Sequence, residues 1–430
     1  MQSQTETDMK GRKRVLLLEP FYGGSHRIFA DGLAAATRHE MKMITLPARF
    51  WKWRMRGAAL HFARACKEAG RWDPGASSGA DTVDFPGRAP CPDRNQDPDL
   101  ILAGSLMSAA DFRSVFRALY GRSCPPVLLY MHENQFTYPL APGEKMDYQF
   151  AFTDITSALA ADRVLFNSGV HMDMFLSNVE RFIRKMPDAR PHWTAGAIRE
   201  KSFVCHPGVF SGDTILNSPG LDCADGGKNF RQTRPASPEA LPKRRDNNRK
   251  GLVIWNHRWE HDKNPEAFFE ALEAVAGRGV DFSVAVLGER FDKTPEIFDK
   301  ARQSLGSRVA AFGYEPDRET YFRWLGQGEV VISTALQENF GIAVAEAAAC
   351  GCIPLVPDRL SYPEIIPKTF HDACLYRTSA ELEEKLARIL SEPRAFDPVR
   401  NSLAAEMIKR YSWKNRIIDF DRHIAETAKK

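Results

Sequence analysis

No apolar run in this 430-residue chain approaches the roughly 18 residues that a membrane-spanning helix needs. The N-terminus, MQSQTETDMKGRKR, is polar and basic with no apolar stretch behind it, so it does not read as a secretory signal and a cytoplasmic location is expected. An excess of one charge is also lacking. The 59 basic and 55 acidic residues give a net charge of +4, too balanced to announce a nucleic-acid or membrane binder but compatible with a local basic face. The eight cysteines (66, 91, 124, 205, 223, 350, 352 and 374) include no C-x-x-C pair and no His–Cys cluster at zinc spacing. Reduced, mostly buried thiols are expected and no metal is called for. The G-x-G-x-x-G dinucleotide fingerprint is absent, which leaves nicotinamide binding unsupported. No short-period repeat occurs.

What is present is a regular alternation. At roughly 100–200 residues per domain, two or three domains are expected. Short apolar runs stand at 15–20, 41–47, 99–104, 126–132, 163–168 and 202–208, with helical spacing between them, as in Gly32–Arg38 and Asp111–Tyr120. The runs are near-continuous rather than alternating, as in strands buried on both faces of a helix-covered parallel sheet. After a stretch rich in Gly, Ser, Pro, Asn, Arg and Asp, the pattern resumes at 251–259, 282–289, 309–313, 329–334, 352–357 and 373–376, with a helix over about 381–390. The expected organisation is a disordered basic tail (1–13), an α/β domain (14–208), a flexible linker or insertion (209–250), a second α/β domain (251–400) and a final amphipathic helix (401–430). Ligands in doubly wound sheets bind at the carboxyl ends of strands, so the cleft between the halves is the expected site.

Four segments carry chemistry. The first strand runs into a turn with Gly23 and Gly24 before a helix, where backbone N–H groups can approach an anion. A tight turn without a ligand reads equally well. The fourth strand ends in His132-Glu133-Asn134-Gln135, a polar cluster where a cleft residue belongs, and His132 can position a hydroxyl or meet developing charge. The second half opens with Asn256-His257-Arg258-Trp259 and Lys263, two cations five residues apart across a strand–helix turn, a pairing suited to a diphosphate. Solvated surface cations are the plain alternative. Glu338-Asn339-Phe340-Gly341 follows a strand, and Glu346 lies on the helix beyond it. Carboxylates eight residues apart across such a turn can accept hydroxyl protons from different sugar rings, while two acids on a solvated helix are the competing explanation.

Together these residues resemble the E-x7-E pattern, Arg/Lys pair, active-site His and glycine turn of retaining glycosyltransferases of family 4. The segments LLLEPFYGGSHRIF, MHENQFTYP, WNHRWEHDKNPE, QENFGIAVAEA and LSYPEIIP are similar to the tRNA-queuosine α-mannosyltransferase family. The resemblance implies a GT-B architecture: two Rossmann-like doubly wound α/β domains facing a central cleft. It further implies metal-independent transfer of mannose from GDP-mannose to the cyclopentene-diol of queuosine in tRNA(Asp). By the family pattern Arg258 and Lys263 stabilise the diphosphate, Glu338 holds donor-sugar hydroxyls, and Glu346 holds the ribose. His132 acts near the reacting sugar, Gly23 and Gly24 lie near the phosphates, and the backbone around Asn339, Phe340 and Gly341 binds sugar and phosphate oxygens.

The acceptor side has its own signal. Arg49, Trp51, Lys52, Trp53, Arg54 and Arg56 interleave bases with aromatics, and residues 49–72 hold seven Lys or Arg against the single acid Glu68. Cations beside stacking platforms grip single-stranded RNA loops. An amphipathic helix with partly core tryptophans is the alternative. Glu133, Asn134 and Gln135 are placed on the acceptor side, and Arg181-Phe182-Ile183-Arg184-Lys185 is a weaker basic stretch. Two other functions stay open at this point: a family 4 enzyme glycosylating a lipid or glycan, since basic–aromatic helices also sit on anionic membranes, and a non-catalytic GT-B protein that binds RNA or a nucleotide sugar. No stable membrane association is expected.

Overall fold

The computed structural model describes residues 11–68, 97–137, 147–210, 250–290 and 295–430. The first half runs β1 (Arg14–Tyr22), α1 (Gly24–Ala36), β2 (Glu40–Pro47), α2 (Trp51–Glu68), β3 (Leu100–Gly104), α3 (Ala109–Tyr120), β4 (Val127–Met131), α4 (Tyr148–Ala160), β5 (Arg163–Phe166), α5 (Gly169–Arg184), α6 (Thr194–Arg199) and β6 (Ser202–Val204). The second runs β7 (Gly251–Trp255), α7 (Pro265–Gly277), β8 (Phe282–Val286), α8 (Ile297–Leu305), β9 (Val309–Phe312), α9 (Arg318–Gln327), β10 (Val330–Ile332), α10 (Ile342–Ala349), β11 (Ile353–Pro357), α11 (Tyr362–Ile365), α12 (His371–Cys374), β12 (Leu375–Tyr376) and α13 (Ser379–Ser391), followed by α14 (Asp397–Tyr411) and α15 (Trp413–Thr427).

Each half is built on a six-stranded sheet, ordered β2-β1-β3-β4-β5-β6 and β12-β11-β10-β7-β8-β9, and every strand pairing is parallel. In the inner strands β1, β3 and β4 the continuous apolar runs are explained by burial on both faces. Leu16, Leu18, Ile101, Ala103 and Leu129 join one hydrophobic cluster, while Val15, Leu17, Leu100, Leu102 and Leu128 join the other. That second cluster continues into the core of the C-terminal half through Tyr411, Trp413 and Phe420, so the two halves share apolar packing.

The stretch expected as one helix over 401–430 is two. Ser412 adopts an extended conformation (φ −59°, ψ 144°) and forms a parallel bridge with Val209, which separates α14 from α15. The break turns α15 back onto the first half. There Thr37 Oγ1 donates to Asp421 Oδ1 at 2.6 Å, and Arg163 donates to Glu426 at 2.5 Å. Among the described residues none of the six cysteines is in a disulfide, four of them are buried, and no helix is long and apolar enough to cross a membrane. Cys91, Cys223, the tail over 1–10 and the stretch 211–249 lie outside the described residues.

Candidate functional site

Strand order reverses at two places, between β1 and β3 in the first sheet and between β7 and β10 in the second. Ligands of open parallel sheets bind in the crevice beyond the strand C-termini at such points. The turn after β1 carries Gly23 and Gly24, and the segments after β7 and β10 carry Arg258, Lys263 and Glu338. The topology therefore brings the motif residues of both halves to the two crevices.

In the second half Lys263 is buried on a short 3-10 turn that precedes α7. Its Nζ donates to Gln337 O at 2.9 Å and stands 3.2 Å from Glu338 Oε2 and 3.1 Å from Asp262 Oδ2. Burial opposes the cation, but the Glu338 and Asp262 carboxylates outweigh it and hold the Lys263 pKa above its ordinary value. Arg258 contacts the same acidic group, 3.0 Å from Glu260 Oε2 and 3.7 Å from Asp262 Oδ2, with its side chain 38% exposed. The two cations therefore converge through Asp262, and Arg258 keeps an open face.

Gly341 caps α10 with φ +89°, a conformation that favours glycine, and a Cβ there would press on Tyr362 at 3.0 Å. No side chain caps this helix, so its N-terminal N–H groups are left for an anion. Glu338 and Asn339 are partly exposed beside it. Phe340 is buried, its ring against His206 and Tyr411, which leaves only its backbone for a ligand. Glu346 is 1% exposed. Burial pushes its carboxyl up to about 7, with Arg318, Tyr321 and a backbone N–H at Phe210 offsetting part of the cost. Glu346 Oε1 and Arg318 Nη2 stand 3.9 Å apart and neither has a hydrogen-bond partner. That separation is too long for a hydrogen bond and leaves both groups available to a hydroxyl.

In the first half the glycine turn opens α1, again with no side-chain cap. Gly24 has φ +50° and open space where a Cβ would stand. The loop after β4 carries His132, whose ring is stacked on His26 with centroids 4.0 Å apart and packed edge-on against Phe29 and Tyr130. Burial and the neighbouring His26 and His171 hold the His132 pKa well below its usual value, so its ring is neutral. Asn134 is buried and its Oδ1 accepts from Phe136 N at 3.0 Å, forming an Asx turn that shapes the loop. The Gln135 backbone N–H donates to Asp154 Oδ2 at 2.8 Å, and Glu133 remains partly exposed.

The halves meet over these groups. Asn339 Nδ2 donates to His132 O at 3.3 Å, Ser168 Oγ donates to Asn339 O at 2.5 Å, and Gln337 Nε2 donates to Thr137 Oγ1 at 2.9 Å. Arg258 also opposes the charging of His26 across the cleft. The loop holding Glu338 is thus fixed to the loop holding His132.

The basic–aromatic segment splits by side chain. Trp51 packs on Phe150 in a small cluster with Met55, and Arg54 reaches Pro47 O at 3.4 Å. Trp53 is 77% and Phe50 68% exposed, and Arg49, Lys52 and Arg56 are exposed with them. A Cβ on Gly23 would collide with Ala48, so this patch adjoins the glycine turn directly. Of the weaker stretch, Phe182 and Ile183 are buried in the core. Arg71 and Trp72 lie outside the described residues.

Residues 14–209 match the family model described as tRNA-queuosine alpha-mannosyltransferase N-terminal, and residues 237–410 match that of glycosyl transferases group 1. A tRNA-queuosine alpha-mannosyltransferase of Drosophila melanogaster is 34% identical over 422 residues, covering 96% of this chain and 98% of the relative. The chain belongs to the tRNA-queuosine alpha-mannosyltransferase family. More distantly, a GDP-mannose:cellobiosyl-diphosphopolyprenol alpha-mannosyltransferase of Xanthomonas oryzae is 22% identical over 166 residues, covering 38% of this chain and 43% of the relative. Among solved structures, sucrose-phosphate synthase from Thermosynechococcus elongatus superposes with a TM-score of 0.62 at 14% identity, covering 96% of this chain and 99% of that one. Anabaena HepE in complex with UDP and glucose gives 0.61 at 12%, covering 96% and 100%. These likenesses establish the GT-B fold.

In this member of the family Arg258, Lys263, Glu338, Asn339 and Gly341 come together at the second crevice, with His132 joined to them across the cleft. Glu346 sits under the α10 turn, and Asn134 and Trp51 turn inward. Sequence reasoning missed Glu19, His26 and Asp262 beside the motif residues, and Glu364, which spans the halves. Each is a buried or half-buried partner of another residue, and an isolated acid or histidine in a sequence carries no mark of its partner.

Proposed function

We propose that this glycosyltransferase transfers mannose from GDP-mannose to the cyclopentene-diol of queuosine in tRNA(Asp), with retention and without a metal. The observation that carries the reading is the bond between the two halves at Asn339 and His132, which sets Glu338 and Lys263 opposite the first-half loops. The full-length relationship to a protein named for this activity supports the acceptor.

In this reading the GDP diphosphate lies between Arg258 and Lys263 and the uncapped N-terminus of α10, and all three stabilise the charge that builds as GDP leaves. Glu338 accepts from mannose hydroxyls while its other contact holds Lys263 charged. The ribose diol lies between Glu346 and Arg318. The queuosine hydroxyl attacks the anomeric carbon on the face from which GDP departs, and the departing phosphate takes its proton. Water is excluded because the Gln337–Asn339 loop closes onto the His132 loop. The patch of Arg49, Phe50, Lys52, Trp53 and Arg56 grips the RNA loop that carries the acceptor.

GDP released from GDP-mannose is measured with queuosine-containing tRNA(Asp), with the same tRNA lacking queuosine, and with a panel of other nucleotide sugars. Release that requires both queuosine and the mannose donor is expected. Equal release with UDP-sugars, or with lipid or glycan acceptors in place of the tRNA, contradicts the assignment.

A further inference from the structure

Glu19 ends the core of β1 with a fully buried carboxylate. Burying an ionised carboxylate is costly unless its oxygens are met. One oxygen is met twice: Oε1 accepts from the Phe21 backbone N–H at 2.9 Å and from His26 Nδ1 at 3.0 Å. The other, Oε2, has no partner and stands 3.6 Å from His132 Nε2, which has none either. Space for this carboxylate exists because residue 104 is glycine, where a Cβ would come within 2.8 Å of Oε2. His26 is stacked on His132, so all three groups form one buried cluster at the floor of the cleft.

We propose that Glu19, held in place by His26, is the positioning residue for His132: its free oxygen accepts a hydrogen bond from His132 Nε2–H, keeps the proton on that nitrogen, and so leaves the Nδ1 lone pair as the acceptor for a sugar hydroxyl in the cleft. The proposal rests on the mannosyl-transfer reading of the site. Catalytic hydrogen bonds are commonly long before substrate binds and tighten in the complex, and the 3.6 Å gap needs only a small shift to become one. Burial opposes a charge on His26, but the Glu19 carboxylate outweighs it and raises the His26 pKa above its ordinary value, whereas burial lowers that of His132 and keeps its ring neutral. The charged and titratable groups facing the cluster from other elements are Glu133, His171 and Arg258. The same three residues are a possible set of metal ligands, with atoms within 4.8 Å of one another. The stacking argues otherwise, because rings 4.0 Å apart at 27° direct their lone pairs side by side rather than toward one point.

The test is a double-mutant cycle on the full-length protein. Glu19→Gln keeps shape and hydrogen bonds, but its amide donates where the carboxylate accepted, which drives His132 into the opposite tautomer. It is expected to lower kcat by at least about 30-fold, with KM for GDP-mannose, tRNA affinity and melting temperature nearly unchanged. Combined with His132→Ala it is expected to cost nothing further, since both changes remove one function. Glu19→Asp is expected to recover part of the rate. A Glu19→Gln variant with kcat within twofold of wild type, or losses that multiply in the double variant, would overturn the proposal, as would stoichiometric metal that Glu19→Gln releases. The cycle is also read on hydrolysis of GDP-mannose by water, so a wrong acceptor and a wrong positioning role give different results.

Discussion

Lys263 is a cation that the fold stabilises only through its neighbours. It is buried among Glu338, Asp262 and the Gln337 carbonyl, so removing it strands two carboxylates. Lys263→Ala is expected to cost about 3 kcal/mol of stability and at least about 100-fold in transfer, read by denaturant unfolding and by initial rates. Glu346 makes a pH prediction. Its folded pKa of about 7 lies above the unfolded value, so its burial weakens the fold increasingly as pH rises from the ordinary carboxylate range to 7. A ribose that donates to the carboxylate favours the ionised form, so GDP affinity should fall as pH drops below 7, by up to about tenfold per unit. Titration calorimetry between pH 8 and pH 6 checks this, and Glu346→Gln should abolish the slope. At this scale the sequence was legible where a polar residue follows a buried strand, as with His132, Arg258 and Glu338. It was silent on Glu19 and Asp262, which serve other side chains and come near them only through folding.

At the scale of elements, α5 shows how the halves are held. Its N-terminal N–H groups at Gly169 and Val170 donate to Glu364 of the other half at 2.8 and 2.9 Å, and His206 Nε2 donates to the same carboxylate at 2.8 Å. Burial alone would raise the Glu364 pKa, but these bonds outweigh it and place it below the ordinary range. A depressed folded pKa means the contribution is present above the unfolded pKa and is lost as pH falls through the folded one. Glu364→Gln should therefore lower stability by about 2 kcal/mol at pH 7, and the difference from wild type should vanish in acid, below the folded pKa, in melts at both conditions. Helix α2 separates binding from packing: Lys52→Ala with Trp53→Ala should weaken tRNA binding at least about tenfold without altering KM for the donor, whereas Trp51→Ala should destabilise the fold. The twelve strands of the described residues were legible because continuous apolar runs have few other uses. The break at Ser412 was not, because it is set by the bridge to Val209 and by docking of α15 on the first half, contacts far apart in sequence.

At the scale of the whole molecule, the described residues tie the halves together at the cleft through Asn339 to His132 and Ser168, Gln337 to Thr137, and Glu364 to α5 and His206. The return of α15 fastens the second half to the back of the first. In the proposed reading the donor groups lie on one half and the His132 loop and RNA patch on the other, so transfer is expected to depend on their closure. The most direct measurement is mass spectrometry of nucleosides from queuosine-containing tRNA(Asp) after incubation with GDP-mannose and either wild-type protein or Glu338→Ala. The account predicts a single hexose on queuosine with wild type and a sharp loss with the variant, which stays folded but melts lower because Lys263 loses a carboxylate partner. Unmodified queuosine after incubation with folded, donor-binding wild-type protein would contradict it.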